Sequence, residues 1–234
     1  MKQITSNVYI FEGLLGSNVY LLITGKELAL VDSGLSIDAG KIIAQLQEAN
    51  FSLSNLKTIV LTHAHGDHIG GTAKLTRRSN ARVWAYQREV PYIEQTKYLS
   101  HPLVIQRILF WITNHVLFRQ LPIKVDRALS NRENILYGLQ VIHTPGHTPG
   151  SISLYQAKEK ILFCGDALFN INPITGKRGL QVSLPIVTAN KKEAWESVRK
   201  ISSLPVEVLL FGHGKPILKG AREQVKALLE KGNC

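Results

Sequence analysis

The feature that most constrains this chain is a cluster of three histidines and an aspartate within six residues. His63, His65, Asp67 and His68 directly follow the apolar run 58–61. Side chains two positions apart lie on the same side of an extended chain, so His63 and His65 can reach one metal ion together. Asp67 and His68 come where neighbouring glycines allow a tight turn, and they can serve a second ion. The stretch predicts a metal-binding loop at the end of a strand.

Three further side chains of the same chemical types follow strand-like runs later in the chain. His147, Asp166 and His213 each stand beside a glycine, just after an apolar segment. A single His or Asp in such a place is usually a turn or cap residue. The repetition of strand, glycine and ligand predicts instead that loops at one edge of a sandwich bring all seven side chains together. Asp32, which ends another strand-like run, is expected to cap a turn or support a ligand without binding metal itself.

Runs of β-branched and aromatic residues alternate with helical patterns in both halves of the chain. The expected strands are 8–11, 18–23, 28–31, 58–61, 82–85, 139–142, 151–155, 161–163 and 206–211. Four helices are expected. One runs from an N-cap at Ser36 to about Asn50, and a short one follows Gly71 and passes through Leu75. The other two cover 191–203 and 221–229. Strands in blocks with helices closing each half predict two packed sheets covered by helices outside. No linker-like stretch interrupts residues 1–234, which favours a single domain.

The segment from Leu103 to Phe118 stands apart, because eleven of its sixteen residues are apolar. Its polar residues repeat after seven positions, which predicts a strongly amphipathic helix within a helical insert around residues 90–125. The segment is too short and too polar to span a bilayer. Three roles follow: packing on the domain, a lid over the site, or a contact with a membrane surface.

The net charge of +11 is concentrated in one part of the chain. Residues 74–132 hold eleven Lys and Arg against three Asp and Glu, which favours anionic partners: an acidic small molecule, a lipid headgroup surface or nucleic acid. Nucleic acid is the least favoured, because no basic groove interleaved with aromatic residues is evident. Two cysteines, Cys164 and Cys234, make a poor disulfide framework, and neither is expected to bind metal. With no cleavable signal at the first residues, a cytoplasmic protein is expected.

The motif His-x-His-x-Asp-His at residues 63–68 strongly resembles the signature of the metallo-β-lactamase superfamily, and the resemblance extends from 31–34 to 212–214. It implies an α/β fold, the four-layer αββα sandwich. By position, it implies that His63, His65 and His147 hold one ion, that Asp67, His68 and His213 hold another, and that Asp166 bridges both. These ligands suit two Zn²⁺ ions, although iron or manganese also fits. Asp67 would in addition act in catalysis, by orienting the attacking water or accepting its proton.

This sequence departs from the patterns of individual branches of the superfamily, and these departures narrow the range of substrates that the resemblance implies. Segments 144–151 and 165–169 resemble glyoxalase II, but the sequence stops at Cys234, so the helical region that binds glutathione there is not expected. Acyl-homoserine lactonases are similar in size, yet Phe169 replaces the tyrosine that they usually carry. The absence of a signal segment disfavours a secreted β-lactamase.

The function implied is that of a binuclear metallohydrolase, in which a hydroxide bridging the metals cleaves an ester, thioester or lactone. The basic residues and the apolar segment 103–118 favour a small-molecule substrate that is an anionic or amphiphilic acyl compound. Two alternatives stay open. One is an iron-dependent persulfide dioxygenase, and the other is a membrane-surface or nucleic-acid binding or processing protein on the same scaffold.

Overall fold

A computed structural model describes residues 1–97, 123–172 and 174–232. Its contacts divide the chain into two compact units, Met1–Leu129 and Ser130–Cys234. Each unit has its own sheet, its own helices and its own apolar core. The expectation of a single domain over residues 1–234 stays a prediction.

The first unit is built on a seven-stranded sheet whose strands follow chain order. They are β1 Lys2–Thr5, β2 Val8–Ile10, β3 Tyr20–Thr24, β4 Glu27–Val31, β5 Leu56–Leu61, β6 Arg82–Tyr86 and β7 Arg127–Leu129. Strands β1 to β4 pair antiparallel, and β4 to β7 pair parallel. Parallel pairing places the carboxyl ends of β4, β5 and β6 at one edge, which is where loops of open α/β sheets bind ligands.

The described residues of the first unit also form four helices and one 3₁₀ turn. They are α1 Asp38–Glu48, the 3₁₀ turn Leu53–Asn55, α2 Gly66–Ile69, α3 Thr72–Ser79 and α4 Val90–Ile93. Ile42 of α1 and Leu75 of α3 share a core with Leu30 and Ile59 from the centre of the sheet. The strand residue next to Ile59, Val60, is also fully buried. Burial on both sides of a strand explains why the apolar run 58–61 shows no alternation with polar residues.

The start of α1 differs from the prediction. Ile37, not Ser36, occupies the N-cap, and no side chain caps the helix there. The carboxylate of Asp38, in the first turn, instead accepts the N–H groups of Leu15 and Gly16, each at 2.9 Å. Since Asp38 is fully buried, these bonds hold the loop before β3 against the start of α1.

The second unit contains a four-stranded sheet in the order β13-β10-β9-β8 and a separate two-stranded hairpin. The sheet strands are β8 Leu139–His143, β9 Ile152–Gln156, β10 Ile161–Gly165 and β13 Val208–Phe211, and the hairpin strands are β11 Leu168–Ile171 and β12 Arg178–Val182. The described residues of this unit also form the helices α5 Lys191–Ser203 and α6 Ala221–Gly232 and the 3₁₀ turns Leu136–Gly138 and Pro185–Val187. Val198 of α5 and Val225 of α6 pack in one core with Leu162 and Leu209 of the sheet.

Most of the predicted insert around residues 90–125, including the amphipathic helix over 103–118, lies outside the described residues. Of the insert, the structure describes α4 and the residues just before β7. Among the helices that the structure does describe, none combines the length and the hydropathy needed to cross a bilayer.

Candidate metal centre

The predicted histidine loop lies at the carboxyl end of β5 and continues into α2. His63 and His68 are 0% exposed and His65 is 7% exposed, whereas the side chain of Asp67 keeps 26% of its surface accessible. Ligand atoms of three pairs lie within 4.8 Å of each other: His63 with His65, His63 with His68, and Asp67 with His68. The first unit therefore brings together all four of its predicted ligands, and Asp67 is the one that most faces solvent.

Asp32 fixes the protonation of two of these imidazoles. Its Oδ2 lies 2.8 Å from Nδ1 of His68, and because a carboxylate can only accept, His68 carries its proton on Nδ1. The same oxygen accepts the hydroxyl proton of Thr62 at 2.8 Å. Thr62 Oγ1 must then accept from Nδ1 of His63, 3.1 Å away. In both neutral rings the lone pair is thereby placed on Nε2, as expected of histidines supported for metal binding.

The backbone of α2 is held from the opposite side by two serines. Ser33 donates to the carbonyl of His68 through its N–H at 2.7 Å and its hydroxyl at 2.9 Å. Ser17 donates to the carbonyl of Asp67 in the same way, at 3.2 Å and 2.9 Å. A Cβ on Gly71 would lie 2.2 Å from the carbonyl oxygen of Ser33, so only glycine permits this approach.

The first prediction concerns Asp32→Asn. The carboxylate accepts the N–H of Thr62 through Oδ1, and both the Thr62 hydroxyl and His68 Nδ1 through Oδ2. An asparagine has one acceptor oxygen, so its NH₂ group must face at least one of these donors. We expect a loss of about 1–3 kcal/mol in the free energy of unfolding of the metal-free protein, and a 10- to 100-fold loss of metal affinity. Urea unfolding and competition with a chromophoric chelator measure the two effects.

The matched control is Asp38→Asn, which changes another buried carboxylate that accepts backbone N–H groups in the same unit. It should lower stability and leave metal affinity near that of the natural protein. Equal losses of metal affinity in the two variants would contradict a specific role of Asp32 in supporting the histidines.

The second unit gathers its three predicted ligands around one carboxylate oxygen. Asp166 Oδ2 lies 3.4 Å from Nε2 of His147 and 3.4 Å from Nε2 of His213. Asp166 and His147 are buried, while the side chain of His213 is 19% exposed. Two imidazoles thus face a shared oxygen.

Phe169 packs against both histidines of this cluster. Its ring meets the ring of His147 edge-on at 6.1 Å between centroids, and that of His213 at 5.3 Å. Phe169 is 1% exposed. Phe169, which stands where lactonases usually carry a tyrosine, therefore presents an apolar ring to both imidazoles.

His147 is also supported through its Nδ1, which lies 2.6 Å from Oγ of Ser183. Thr188 Oγ1 lies 2.7 Å from the carbonyl of Leu184 and 2.8 Å from Ser183 Oγ. Thr188 is the donor in both contacts, so the Ser183 hydroxyl beside the imidazole is held by Thr188. These hydroxyls fix the orientation of the His147 ring, with Nε2 toward Asp166.

The loop that carries His147 is closely packed on α5. Gly146 has φ 128°, and a Cβ there would lie 2.2 Å from the N atom of Ala194. The N–H groups of Ala189 and Asn190 bond to the carbonyls of His147 and Gly146 at 3.1 and 2.9 Å. Ordering of α5 therefore also orders this ligand.

Cys164 is buried in the core that faces the helices of the second unit. Burial, and then the charge of Asp166, raise the pKa of its thiol well above the usual range. Metals bind the thiolate form of cysteine, so the buried thiol of Cys164 has the chemistry of a core residue.

The ligands of each unit fit a divalent cation. Imidazole nitrogens and carboxylate oxygens are ligands that Zn²⁺ accepts, and second hydrogen bonds hold His63, His68 and His147 by Nδ1. With its proton on Nδ1, neutral His68 turns the lone pair of its Nε2 toward Oδ2 of Asp67, 3.9 Å away. These two electron-rich atoms repel each other, and a cation bound to both would remove the repulsion. Nε2 of His147 lies 3.4 Å from Oδ2 of Asp166, where a cation could bind both atoms.

Comparison with known proteins adds a family and several relatives. A family model described as the metallo-beta-lactamase superfamily matches residues 13–213. A probable metallo-hydrolase of Bacillus subtilis, YflN, is 29% identical over 86% of this chain and 81% of its own length. The hydroxyacylglutathione hydrolase GloC of Haemophilus influenzae is 32% identical over 62% of each chain. The solved structure of TTHA1623 in a di-iron-bound form is 30% identical, covers 88% of this chain and 92% of its own, and has a TM-score of 0.64.

Proposed function

The chain belongs to the metallo-β-lactamase superfamily, and from that membership we propose that it is a hydrolase with two divalent metal ions that cleaves a thioester, an ester or a lactone. Membership confirms the family resemblance and the fold class predicted from the sequence. The observation that carries the proposal is that each unit gathers side chains of metal-ligand type, with imidazoles that are hydrogen-bonded at Nδ1 and have Nε2 beside a carboxylate oxygen.

The proposed ligands are the seven residues predicted from the sequence. One ion would be held by His63, His65 and His147, the other by Asp67, His68 and His213, with Asp166 shared by both. Seven ligands exceed the four that a single tetrahedral zinc uses, which supports two ions per chain. Zinc is the proposed metal, and the di-iron form of TTHA1623 makes iron the alternative to be tested.

Bound divalent cations supply Lewis acidity, which polarises a carbonyl group and yields hydroxide from water near neutral pH. The chain itself supplies orientation and proton transfer. The carboxylate of Asp67 is partly exposed, and Ser17 holds its backbone carbonyl, so it can orient a water molecule and accept its proton. Phe169 packs edge-on against both imidazoles of the second unit and so limits their rotation.

The substrate class follows from the relatives and from the charge near the second cluster. GloC is a hydroxyacylglutathione hydrolase, and hydroxyacylglutathiones are anionic thioesters. The hairpin that begins beside Phe169 carries exposed Lys177 and Arg178 near its turn, which can attract a carboxylate. We therefore place thioesters of acidic or amphiphilic carriers first: water adds across the acyl–sulfur bond, and the products are a carboxylic acid and a thiol.

The second prediction tests this function directly. Protein reconstituted with zinc, iron or manganese should bind about two ions per chain, as measured by elemental analysis. It should hydrolyse thioesters with a kcat/KM about tenfold or more above that for matched oxygen esters and lactones, because a thiolate is the better leaving group. Removal of the metal with a chelator should abolish turnover, and addition of the best metal should restore it.

The comparison across substrates should include phosphodiesters and persulfides. Metal content that never exceeds one ion per chain would exclude the binuclear centre. Oxygen consumption with persulfides by the iron form, without thioester hydrolysis, would favour the dioxygenase alternative.

A further inference from the structure

Glu89 is a fully buried acid beside the histidine loop. It lies between β6 and α4, and its N–H bonds to the carbonyl of Tyr86 at 2.8 Å. Its carboxylate oxygen Oε1 accepts the N–H of Ala64 at 2.9 Å. Ala64 is the residue between His63 and His65, so this carboxylate reaches the peptide that joins two proposed ligands.

This contact belongs to a regular pattern in the loop. The N–H of Thr62 bonds to Asp32 at 2.8 Å, and the N–H of Ala64 bonds to Glu89. Residues 62 and 64 therefore have their backbone held by buried carboxylates, while the alternate residues His63 and His65 carry the imidazoles. Two acids from different strand ends thus fix the backbone on both sides of His63.

We propose that Glu89 is a positioning residue for metal binding: by accepting the N–H of Ala64, it holds His63 and His65 in the geometry that one ion requires. The inference rests on the metal centre of the proposed function. Asp32 holds the N–H of Thr62 and also reaches His68 directly and His63 through the Thr62 hydroxyl. Glu89 holds the N–H between His63 and His65. The two acids therefore hold different peptides of the loop.

The physical argument is one of preorganisation. A hydrogen bond from a buried N–H to a carboxylate is stronger than one between neutral groups, and ligands need to be held within about 0.5 Å of their binding geometry. Without the carboxylate, the loop must be ordered by the ion itself, which lowers the observed affinity. In its ionised form Glu89 would also favour cations nearby, so an amide at this position should support binding less well than the acid.

A matched control exists at the other end of α4. Glu94 also accepts a backbone N–H through its carboxylate, that of Val125 at 3.0 Å. It differs from Glu89 in what it holds, because Val125 precedes β7 and is remote in sequence from the histidine loop. Substitution of Glu94 therefore reports the general cost of losing such a bond.

The experiment compares Glu89→Ala, Glu89→Gln, Glu94→Ala and the natural protein. For each, competition with a chromophoric chelator gives the Zn²⁺ affinity, and the Co²⁺ form gives the visible spectrum of the bound metal. Hydrogen exchange of the Ala64 amide and the melting temperature are measured on the metal-free protein. We expect Glu89→Ala to bind Zn²⁺ 10- to 100-fold more weakly and to exchange the Ala64 amide faster, Glu89→Gln to lie in between, and Glu94→Ala to match the natural affinity.

The outcomes distinguish failure of the proposed metal centre from failure of the role of Glu89. Natural protein that binds no metal would overturn the metal centre and this inference together. Natural affinity in Glu89→Ala, or an equal loss in Glu94→Ala, would overturn the inference alone. If Glu89→Ala does not fold, Glu89→Gln decides, because it keeps an acceptor oxygen. Unchanged Zn²⁺ affinity and an unchanged Co²⁺ spectrum in Glu89→Gln would overturn the contribution of the charge. A melting temperature that falls without any change in affinity would reduce Glu89 to a structural residue.

Discussion

Replacing Asp166 with alanine should lower the metal content from about two ions per chain to one or fewer. Turnover should fall on the order of a thousandfold, equivalent to about 4 kcal/mol of transition-state stabilisation. The reason is the position of its Oδ2, 3.4 Å from the Nε2 atoms of both His147 and His213. A carboxylate shared by two ions contributes a bond to each, so its loss should damage the pair more than loss of a terminal ligand such as His213.

The comparison is therefore Asp166→Ala against His213→Ala, with metal content and turnover measured on the same preparations. Circular dichroism and the unfolding midpoint check that both variants fold. Full metal content and full turnover in Asp166→Ala would leave Asp166 with a structural role only. A larger loss in His213→Ala would contradict the bridging assignment.

Replacing Asp67 with asparagine should lower turnover by on the order of a hundredfold or more, because the amide cannot accept the proton of the attacking water. The fold should persist, since the contact that positions Asp67 involves its backbone carbonyl and Ser17. Asparagine also keeps one oxygen donor for the metal. The measurements are kcat, metal content and the pH dependence of kcat for the two proteins.

Ser17→Ala serves as a companion to this variant, because it removes one of the hydroxyls that hold the same backbone without altering the carboxylate. It should change kcat far less than Asp67→Asn and leave its pH dependence unchanged. Unchanged turnover of Asp67→Asn at normal metal content would show that Asp67 takes no part in the chemistry.

Elements with local signals were predictable from the sequence. Helix α5 matches its predicted range, because Asn190 caps it by accepting the N–H groups of Lys192 and Glu193 and apolar residues recur at helical spacing. Strand β1 was not predicted: its sequence Lys-Gln-Ile-Thr is largely polar, and pairing with β2 stabilises it. The N-cap at Ser36 was wrong because a tertiary contact, Asp38 with the loop before β3, determines where α1 begins.

The candidate site was likewise predictable from the sequence only in part. The seven ligand positions could be read from the sequence because their types and glycine neighbours recur after strands, and their joint role in one centre stays a prediction. The residues that support them could not be read in full. Glu89 is 25 positions from Ala64, and Ser183 is 36 positions from His147, so only the folded chain pairs them. Asp32 was expected as a supporting residue, and the structure gives it that contact with His68.

The hairpin of β11 and β12 has fixed ends and a freely exposed turn. Phe169, near its start, packs on His147 and His213, and Ser183, just after its end, bonds to His147. Between them, residues 174–179 are all exposed. On the proposed function, sequence changes in that turn would alter which substrate is captured while the predicted ligands His147 and His213 keep their contacts with Phe169. Such a hairpin is a segment in which selectivity can evolve, or be exchanged by grafting, independently of the reaction chemistry.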